Sequence, residues 1–201
     1  LGTPATSSWI RHRSAALRLD EIRNDGYVIR SLGSPHGTHL VIAAQEPGGV
    51  IQGAFELIRR LRSGARFDLI DHLENPHIPL RMVGHWSNFR GFLGDDWRGG
   101  RRDHSIFSWE DLRRGDHTLI RDWVRLIASA GWNALCPTEV NWSERNNFLE
   151  HLDEVETLAR ICRQFGVTLY WSPSYLLALD PATAPTIYQR VPDFGGYVLK
   201  L

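Results

Sequence analysis

The first third of the chain contains two short runs of strand-forming residues. Residues 26–31 (GYVIRS) and 38–44 (THLVIAA) are joined by a polar, glycine-bearing stretch, a pattern typical of a β-hairpin. In residues 48–64, apolar side chains recur at helical spacing between flanking glycines. The apolar positions of this predicted helix are Val50, Ala54, Leu57, Ile58 and Leu61. We therefore predict a small α/β layer in which one helix packs on a sheet.

The pattern changes in residues 71–79 (DHLENPHIP), where two prolines stand close together. Proline sustains neither a helix interior nor a central strand, so this segment is interpreted as a linker. The predicted organisation is an N-terminal α/β domain at 1–73, a linker at 74–79 and a second domain at 80–201.

Beyond the linker, strand-like and helix-like segments alternate. The strand-like runs are LRMVGHW, NALCPTEV, VTLYWSPS and GYVLKL. A long loop follows the first run, helices are predicted at 117–131 and 148–166, and a short segment through TIYQRV precedes the last run. This β-α-β-α-β-α-β order predicts a parallel sheet with right-handed crossovers.

Four such strands make either half a barrel or most of a small doubly wound sheet. No GxGxxG or GxxxxGK[ST] loop follows any of the strand-like runs. The hypothesis of a nucleotide-binding sheet therefore lacks its main sequence signal. The strands instead end on polar or aromatic residues, which fits a barrel with a carbohydrate-binding cleft better. We predict an α/β protein in which a small N-terminal domain precedes part of a TIM (β/α)8 barrel.

Composition narrows the function classes. The 201 residues are 42% hydrophobic, and 23 basic residues balance 23 acidic ones, so a core can form and no net charge directs the chain to nucleic acid. No apolar run reaches the roughly 20 residues that cross a bilayer. The opening LGTPATSS has no signal-peptide character and reads like a strand end entering a loop, so we expect the true start to lie upstream. Cys136 and Cys162 match no metal or disulfide spacing and are expected to be buried thiols.

Lys200, the only lysine of the chain, falls at the end of the last predicted strand. In a parallel barrel the carboxyl ends of the strands carry the loops that perform chemistry. A lysine there is well placed to meet an anionic group of a substrate, although a surface lysine at a strand end is the plainer interpretation.

Several motifs resemble, in the same order, those of the α-glucuronidases of glycoside hydrolase family 67. They are LGTP, GYVIRS, GVIQGAF, ENPHIPLRMVGHWSN, SIFSWEDL, GWNALCPTEVN, GVTLY and IYQRVPDFGGYVLK. The resemblance implies a first domain similar to the small module that precedes the barrel in hexosaminidases, followed by a TIM barrel. It also implies inverting release of 4-O-methyl-glucuronic acid from xylan-derived oligosaccharides. This chain would be the back part of the first domain and about half of the barrel.

The resemblance transfers several substrate-binding roles. Trp86 matches a tryptophan that packs on the uronic acid ring, and Lys200 matches the lysine that binds the carboxylate of the substrate. His85 and Asn88 lie beside Trp86 and are candidates for hydrogen bonds to hydroxyl groups. By residue type alone, Trp86 is equally a core residue of the barrel rim, and His85 equally a structural one.

The second strand carries two further candidates. Val140 falls where the family has a small apolar residue that admits the methyl group of the substrate, and Asn141 is a candidate hydroxyl partner. Thr138 and Glu139 depart from the family, which tends to carry asparagine there, and a carboxylate at 139 would repel a uronate. The segment between Ser174 and Tyr188 is also shorter than the family pattern, which leaves a thin third crossover.

The resemblance places the catalytic carboxylates after Lys200 and on later strands, so no catalytic residue is predicted in this chain. No metal or organic cofactor is expected, because inverting glycosidases use carboxylates and water. The expected partners are glucuronoxylan-derived oligosaccharides, with no nucleic acid and no membrane, and a homodimer of the full-length parent is left open. The cytoplasm is the expected compartment, with secretion as the alternative.

Two other hypotheses remain at this point. A non-catalytic or degenerate carbohydrate-binding domain would keep Trp86 and Lys200 without carboxylates. A structural module would pair its half-barrel with another chain, because a half-barrel exposes unpaired edge strands.

Overall fold

The computed structural model describes residues 1–35, 37–85, 106–138, 148–173 and 184–199. The chain forms two compact units, Leu1–Leu80 and Arg81–Leu201.

The first unit contains a three-stranded antiparallel sheet in the order β2-β1-β3. Its strands are β1 (Tyr27–Ser34), β2 (Gly37–Ala43) and β3 (Asp71–Glu74). β1 and β2 pair antiparallel from Val28↔Ala43 to Ser34↔Gly37. The predicted hairpin is therefore confirmed. The short helix α1 (Ser8–Arg11) and a 3₁₀ turn (Leu19–Glu21) precede it.

β3 lies in the segment that the sequence assigned to a linker. It pairs with β1 from Tyr27↔Glu74 to Arg30↔Asp71, and the guanidinium of Arg30 donates to the Asp71 carboxylate at 2.6 and 2.8 Å. The interpretation of 71–79 as a linker is thus wrong for residues 71–74. Both prolines come after the strand, where they do not interrupt its pairing.

Helix α2 (Pro47–Arg62) packs on one face of this sheet. A Cβ at Gly53 would lie 2.6 Å from Cγ2 of Ile42, and one at Gly49 would overlap the carbonyl oxygen of Gly26. The two glycines therefore let the helix lie close to the sheet along the side that carries them. On this side Val50, Ala54 and Leu57 pack against the buried core residues. Ile58 and Leu61 fit the same helical spacing but do not belong to this buried face, since they are 47% and 45% exposed.

The opposite face of the sheet is covered by the amino-terminal segment. Its buried side chains are Ile10, Leu17, Leu19 and Ile22, which pack with Val28, Val41 and Ala43. Gly2 forms an isolated parallel bridge with Ala43. The sheet of the first unit therefore has apolar layers on both faces.

The second unit contains a parallel sheet whose four strands follow the chain order. They are β4 (Met82–His85), β5 (Ala134–Pro137), β6 (Thr168–Trp171) and β7 (Gly196–Tyr197). The predicted parallel arrangement is confirmed. β5 is buried at every position, as a central parallel strand requires.

Helices lie between the strands: α3 (Trp109–Arg114) and α4 (Thr118–Ser129) after β4, α5 (Leu152–Gln164) after β5, and α6 (Ala184–Arg190) after β6. A 3₁₀ turn (Phe148–His151) leads into α5. The sequence treated the position of α3 as loop. Its signal is a capping box, in which Ser108 and Asp111 satisfy each other's backbone amides.

α6 has seven residues. The thin third crossover stays a prediction, because residues 174–183 of that segment lie outside the described residues. Ile187 is fully buried, and Arg190 forms ion pairs with Asp153 and Glu156 of α5. Packing and ion pairs together tie this short helix to its longer neighbour.

Within the described residues no helix is long and apolar enough to span a membrane. Cys136 and Cys162 are buried free thiols, and burial raises their pKa values to about 11 and about 12. Both are neutral packing residues at physiological pH.

Candidate functional site

The carboxyl ends of the four parallel strands form one edge of the sheet. Backbone hydrogen bonds join each strand end to the next. The Thr138 amide donates to the carbonyl of His85 at 2.9 Å, and the Ser172 amide donates to the carbonyl of Pro137 at 3.0 Å. The Val198 amide donates to the carbonyl of Trp171 at 2.8 Å. The loops that follow these strands therefore start from one continuous sheet edge, the usual place for ligand sites in parallel sheets.

His85 ends β4 in an aromatic environment. Its ring stacks on Phe107 with centroids 5.4 Å apart and planes at 6°, and lies 4.6 Å from the ring of Trp123. The residue is 9% exposed, and burial lowers its pKa to about 4. His85 is therefore a neutral imidazole that packs the first strand end against α4.

A continuous series of rings supports the other strand ends. Trp171 of β6 is fully buried and stacks on Phe148, which packs edge-on against Trp109. Trp171 also contacts Tyr197 of β7, whose ring centroid lies 5.4 Å from that of Phe194. The ends of β6 and β7 thus share one aromatic layer with the start of α3.

The turn before β7 is closely fitted to β6. The Gly195 amide donates to the carbonyl of Leu169 at 2.8 Å, and a Cβ at Gly195 would overlap the ring of Tyr170. The Arg163 guanidinium donates two hydrogen bonds to the Asp193 carboxylate, at 2.5 and 2.6 Å. That contact lowers the pKa of Asp193, so its carboxyl stays ionised and is unsuited to act as a general acid.

Of the predicted site residues, the structure describes His85 alone. Its burial between aromatic rings gives it a packing role, and its hydrogen bond to a sugar hydroxyl stays a prediction. The other candidates, Trp86, Asn88, Val140, Asn141 and Lys200, lie outside the described residues. Each follows a described strand end in the sequence: His85, Thr138 and Leu199 are the last described residues before them.

The aromatic layer of Trp109, Phe148, Trp171 and Tyr197 was not predicted from the sequence. These residues lie far apart along the chain, and only the fold brings their rings together. The capping box at Ser108 could have located the start of α3, and with it Trp109. Nothing in the sequence indicated the partners of that ring.

Among the residues that the structure describes, no group of three or more His, Cys, Asp or Glu side chains could hold a metal ion. The chemistry that this part of the edge offers consists of aromatic faces, backbone groups and hydroxyls.

Comparisons with known proteins identify the family and several relatives of this chain. The model of the glycosyl hydrolase family 67 middle domain matches residues 60–182. Alpha-glucuronidase A of Emericella nidulans is 32% identical over 200 residues, covering 90% of this chain and 23% of the relative. Probable alpha-glucuronidases A of Aspergillus terreus and Aspergillus oryzae are 27% and 26% identical, covering 88% and 94% of this chain.

The matched domain model covers more than half of the chain and includes the strands β4 to β6. The chain therefore belongs to glycosyl hydrolase family 67. It spans about a quarter of the length of these relatives, 22% to 24%.

Proposed function

We propose that the chain is part of an inverting α-glucuronidase that releases glucuronic acid, or its 4-O-methyl ether, from xylan-derived oligosaccharides. The observation that carries the proposal is the family 67 match over residues 60–182, together with relatives named alpha-glucuronidase A. In this proposal the general acid and general base belong to parts of the enzyme other than residues 1–201.

The proposed architecture of the second unit is part of a TIM barrel. Its four strands are parallel and neighbour one another in chain order, with a helix after each of the first three. A doubly wound sheet reverses its strand order at one point, whereas a barrel continues in one direction. The strand order therefore supports a barrel. The first unit would correspond to the small domain that precedes it, with its boundary shifted past β3.

In a barrel, the substrate lies at the carboxyl edge of the strands. We propose that Trp86 packs on the uronic acid ring, since an aromatic face suits the C–H surface of a sugar. Val140 would accept the methyl group, and Asn88 and Asn141 would bind hydroxyls. His85, neutral and packed on Phe107, would hold the start of the Trp86 segment.

Lys200 would bind the carboxylate of the substrate. A charge-assisted hydrogen bond of this kind contributes about 1.5 to 3 kcal/mol in a partly dry cleft. The aromatic packing of Tyr197 and the Val198 hydrogen bond support this assignment, because they anchor the backbone two residues before Lys200.

Inverting hydrolysis requires a protonated acid on one side of the bond and a base that activates water on the other. This chain would supply the part of the site that selects an acidic sugar. Binding energy at the uronate would then orient the scissile bond toward carboxylates on the remaining strands.

A chimera tests the proposal. The segment of the Emericella nidulans enzyme that aligns with this chain is replaced by residues 1–201, and the release of glucuronic acid from glucuronyl-xylo-oligosaccharides is measured. We expect release well above that of the same chimera with Lys200→Ala. A folded chimera that binds the acidic oligosaccharide and releases nothing would instead favour a degenerate binding domain.

A further inference from the structure

The turn that leads into β7 is tied to the end of α5 by an ion pair. Arg163 Nε donates to Asp193 Oδ2 at 2.6 Å, and Nη2 donates to Oδ1 at 2.5 Å. Two parallel hydrogen bonds between planar groups fix orientation as well as distance. Arg163 lies in the last turn of α5, so the place of Asp193 follows from the place of that helix.

Gly195 sets the second constraint on this turn. Its amide donates to Leu169, and the next residue, Gly196, pairs with Tyr170 of β6. A side chain at 195 would overlap the Tyr170 ring. Only a residue without a Cβ lets the backbone lie this close to β6, so Gly195 determines where β7 begins.

The position of the segment after the turn depends on where β7 begins. The ring of Tyr197 lies 5.8 Å from that of Trp171, and the Val198 amide donates to the Trp171 carbonyl. Lys200 stands two residues further along the sequence. A shift of the turn would therefore shift the backbone of Tyr197 and Val198, which precede Lys200 in the sequence.

We propose that Arg163, Asp193 and Gly195 are positioning residues for recognition of the acidic group of the substrate. They set the place of the strand that leads to Lys200 and do not touch the sugar themselves. This inference rests on the proposed function, in which Lys200 binds the uronate. The attraction between an ammonium group and a carboxylate weakens as their separation grows. A displaced turn should therefore lower the affinity for acidic ligands alone.

The exposure of the ion pair separates positioning from stability. The side chains of Arg163 and Asp193 are each 51% exposed, and exposed pairs contribute little to the free energy of unfolding. Loss of this ion pair should therefore leave the fold intact. The turn should still move, because the pair sets its orientation. That combination makes Arg163→Gln a direct test.

The test uses the 201-residue chain and two probes, xylotriose that carries 4-O-methylglucuronic acid and unsubstituted xylotriose. Affinities are measured by NMR titration, which detects weak binding. The variants are Lys200→Ala, Arg163→Gln and Gly195→Ala, with Arg160→Gln as the control. Arg160 lies on the same helix, and its guanidinium donates to Thr157.

We expect Lys200→Ala to weaken binding of the acidic probe by about tenfold or more, the effect of one lost charge-assisted hydrogen bond. Arg163→Gln and Gly195→Ala should weaken the same probe severalfold and leave the neutral probe unchanged. Arg160→Gln should change neither. Because Lys200 is the only lysine, ¹³C-methylation gives one lysine side-chain signal, which should change in Arg163→Gln and stay unchanged in Arg160→Gln.

The outcomes distinguish the two proposals. The gain is the extra affinity for xylotriose that carries 4-O-methylglucuronic acid over unsubstituted xylotriose. If there is no such gain in the parent chain, or if Lys200→Ala keeps it, the proposed role of Lys200 is wrong. If Lys200→Ala removes the gain while Arg163→Gln keeps it, the role of Lys200 stands and the positioning inference is overturned. An equal loss for both probes also overturns the inference, because it indicates general damage to the fold. Arg163→Gln keeps the test decisive if Gly195→Ala does not fold.

Discussion

The rings of Phe148 and Trp171 lie parallel, with centroids 5.0 Å apart and planes inclined by 5°. Both side chains are fully buried. Trp171 ends β6, and Phe148 begins the turn into α5, so this stack joins the edge of the sheet to the helix layer. The carboxyl edge of the second unit therefore has an aromatic core directly beneath it.

This stack should dominate the stability of the second unit. We expect Phe148→Ala to lower the free energy of unfolding by about 3 to 5 kcal/mol, the usual cost of deleting a buried aromatic ring. Urea unfolding followed by tryptophan fluorescence measures the change. Leu119→Ala, at an exposed position of α4, is the control and should stay within about 0.5 kcal/mol of the parent. A similar loss in both variants would contradict a special role for the stack.

Neighbouring glycines in α2 should respond in opposite ways. A Cβ at Gly49 would overlap the backbone carbonyl of Gly26, whereas the nearest atom to one at Gly48 is Cβ of Asp25 at 3.9 Å. We expect Gly49→Ala to destabilise the first unit by about 1 to 3 kcal/mol, because backbone must move. Gly48→Ala should be neutral or stabilise by up to about 1 kcal/mol through helix propensity. Thermal unfolding by circular dichroism compares the two, and equal effects would refute the close contact of α2 with the sheet.

His85 should make stability depend on pH. Burial lowers its folded pKa to about 4, below the unfolded value of about 6.5. The folded state therefore prefers the neutral ring, so its contribution is complete above pH 6.5 and is lost as the pH falls toward 4. A shift of this size corresponds to on the order of 3 kcal/mol.

Urea unfolding at pH 7.5 and pH 4.5 tests this dependence in the parent chain and in His85→Phe. Phenylalanine keeps a planar ring against Phe107 and Trp123 and cannot be protonated. We expect the acid-dependent loss to be smaller in the variant. His72 and His151, whose pKa values burial also lowers, account for part of the remaining loss. An unchanged loss in His85→Phe would show that the His85 ring takes up its proton equally well in the folded and unfolded states.

Trp86 should matter to every ligand of the cleft if it packs on a sugar ring. We expect Trp86→Ala to weaken binding of acidic and neutral xylo-oligosaccharides alike by roughly tenfold, in the range of the about 1 to 3 kcal/mol that an aromatic side chain contributes when it stacks on a nucleobase. NMR titration measures both affinities. Unchanged affinities with an intact fold would assign Trp86 to the barrel rim.

The sequence by itself determined the hairpin, helix α2 and the alternation of the second unit. In each case the signal is local: alternating β-branched runs around a glycine-bearing turn, or apolar residues at helical spacing. The ordered motifs also indicated the family. β3 was missed because four half-exposed residues before a proline carry no strand signal of their own, and their pairing with β1 supplies the hydrogen bonds that make them a strand.

Only the tertiary structure decided which faces are buried and which side chains meet. Ile58 and Leu61 fit the helical period, yet close contact at Gly49 and Gly53 turns α2 so that they remain exposed. His85 is a neutral packing residue because Phe107 and Trp123 surround it, and Asp193 is a turn anchor because the last turn of α5 brings Arg163 to it. Burial and ion pairing depend on residues distant along the chain, so the local pattern cannot determine them.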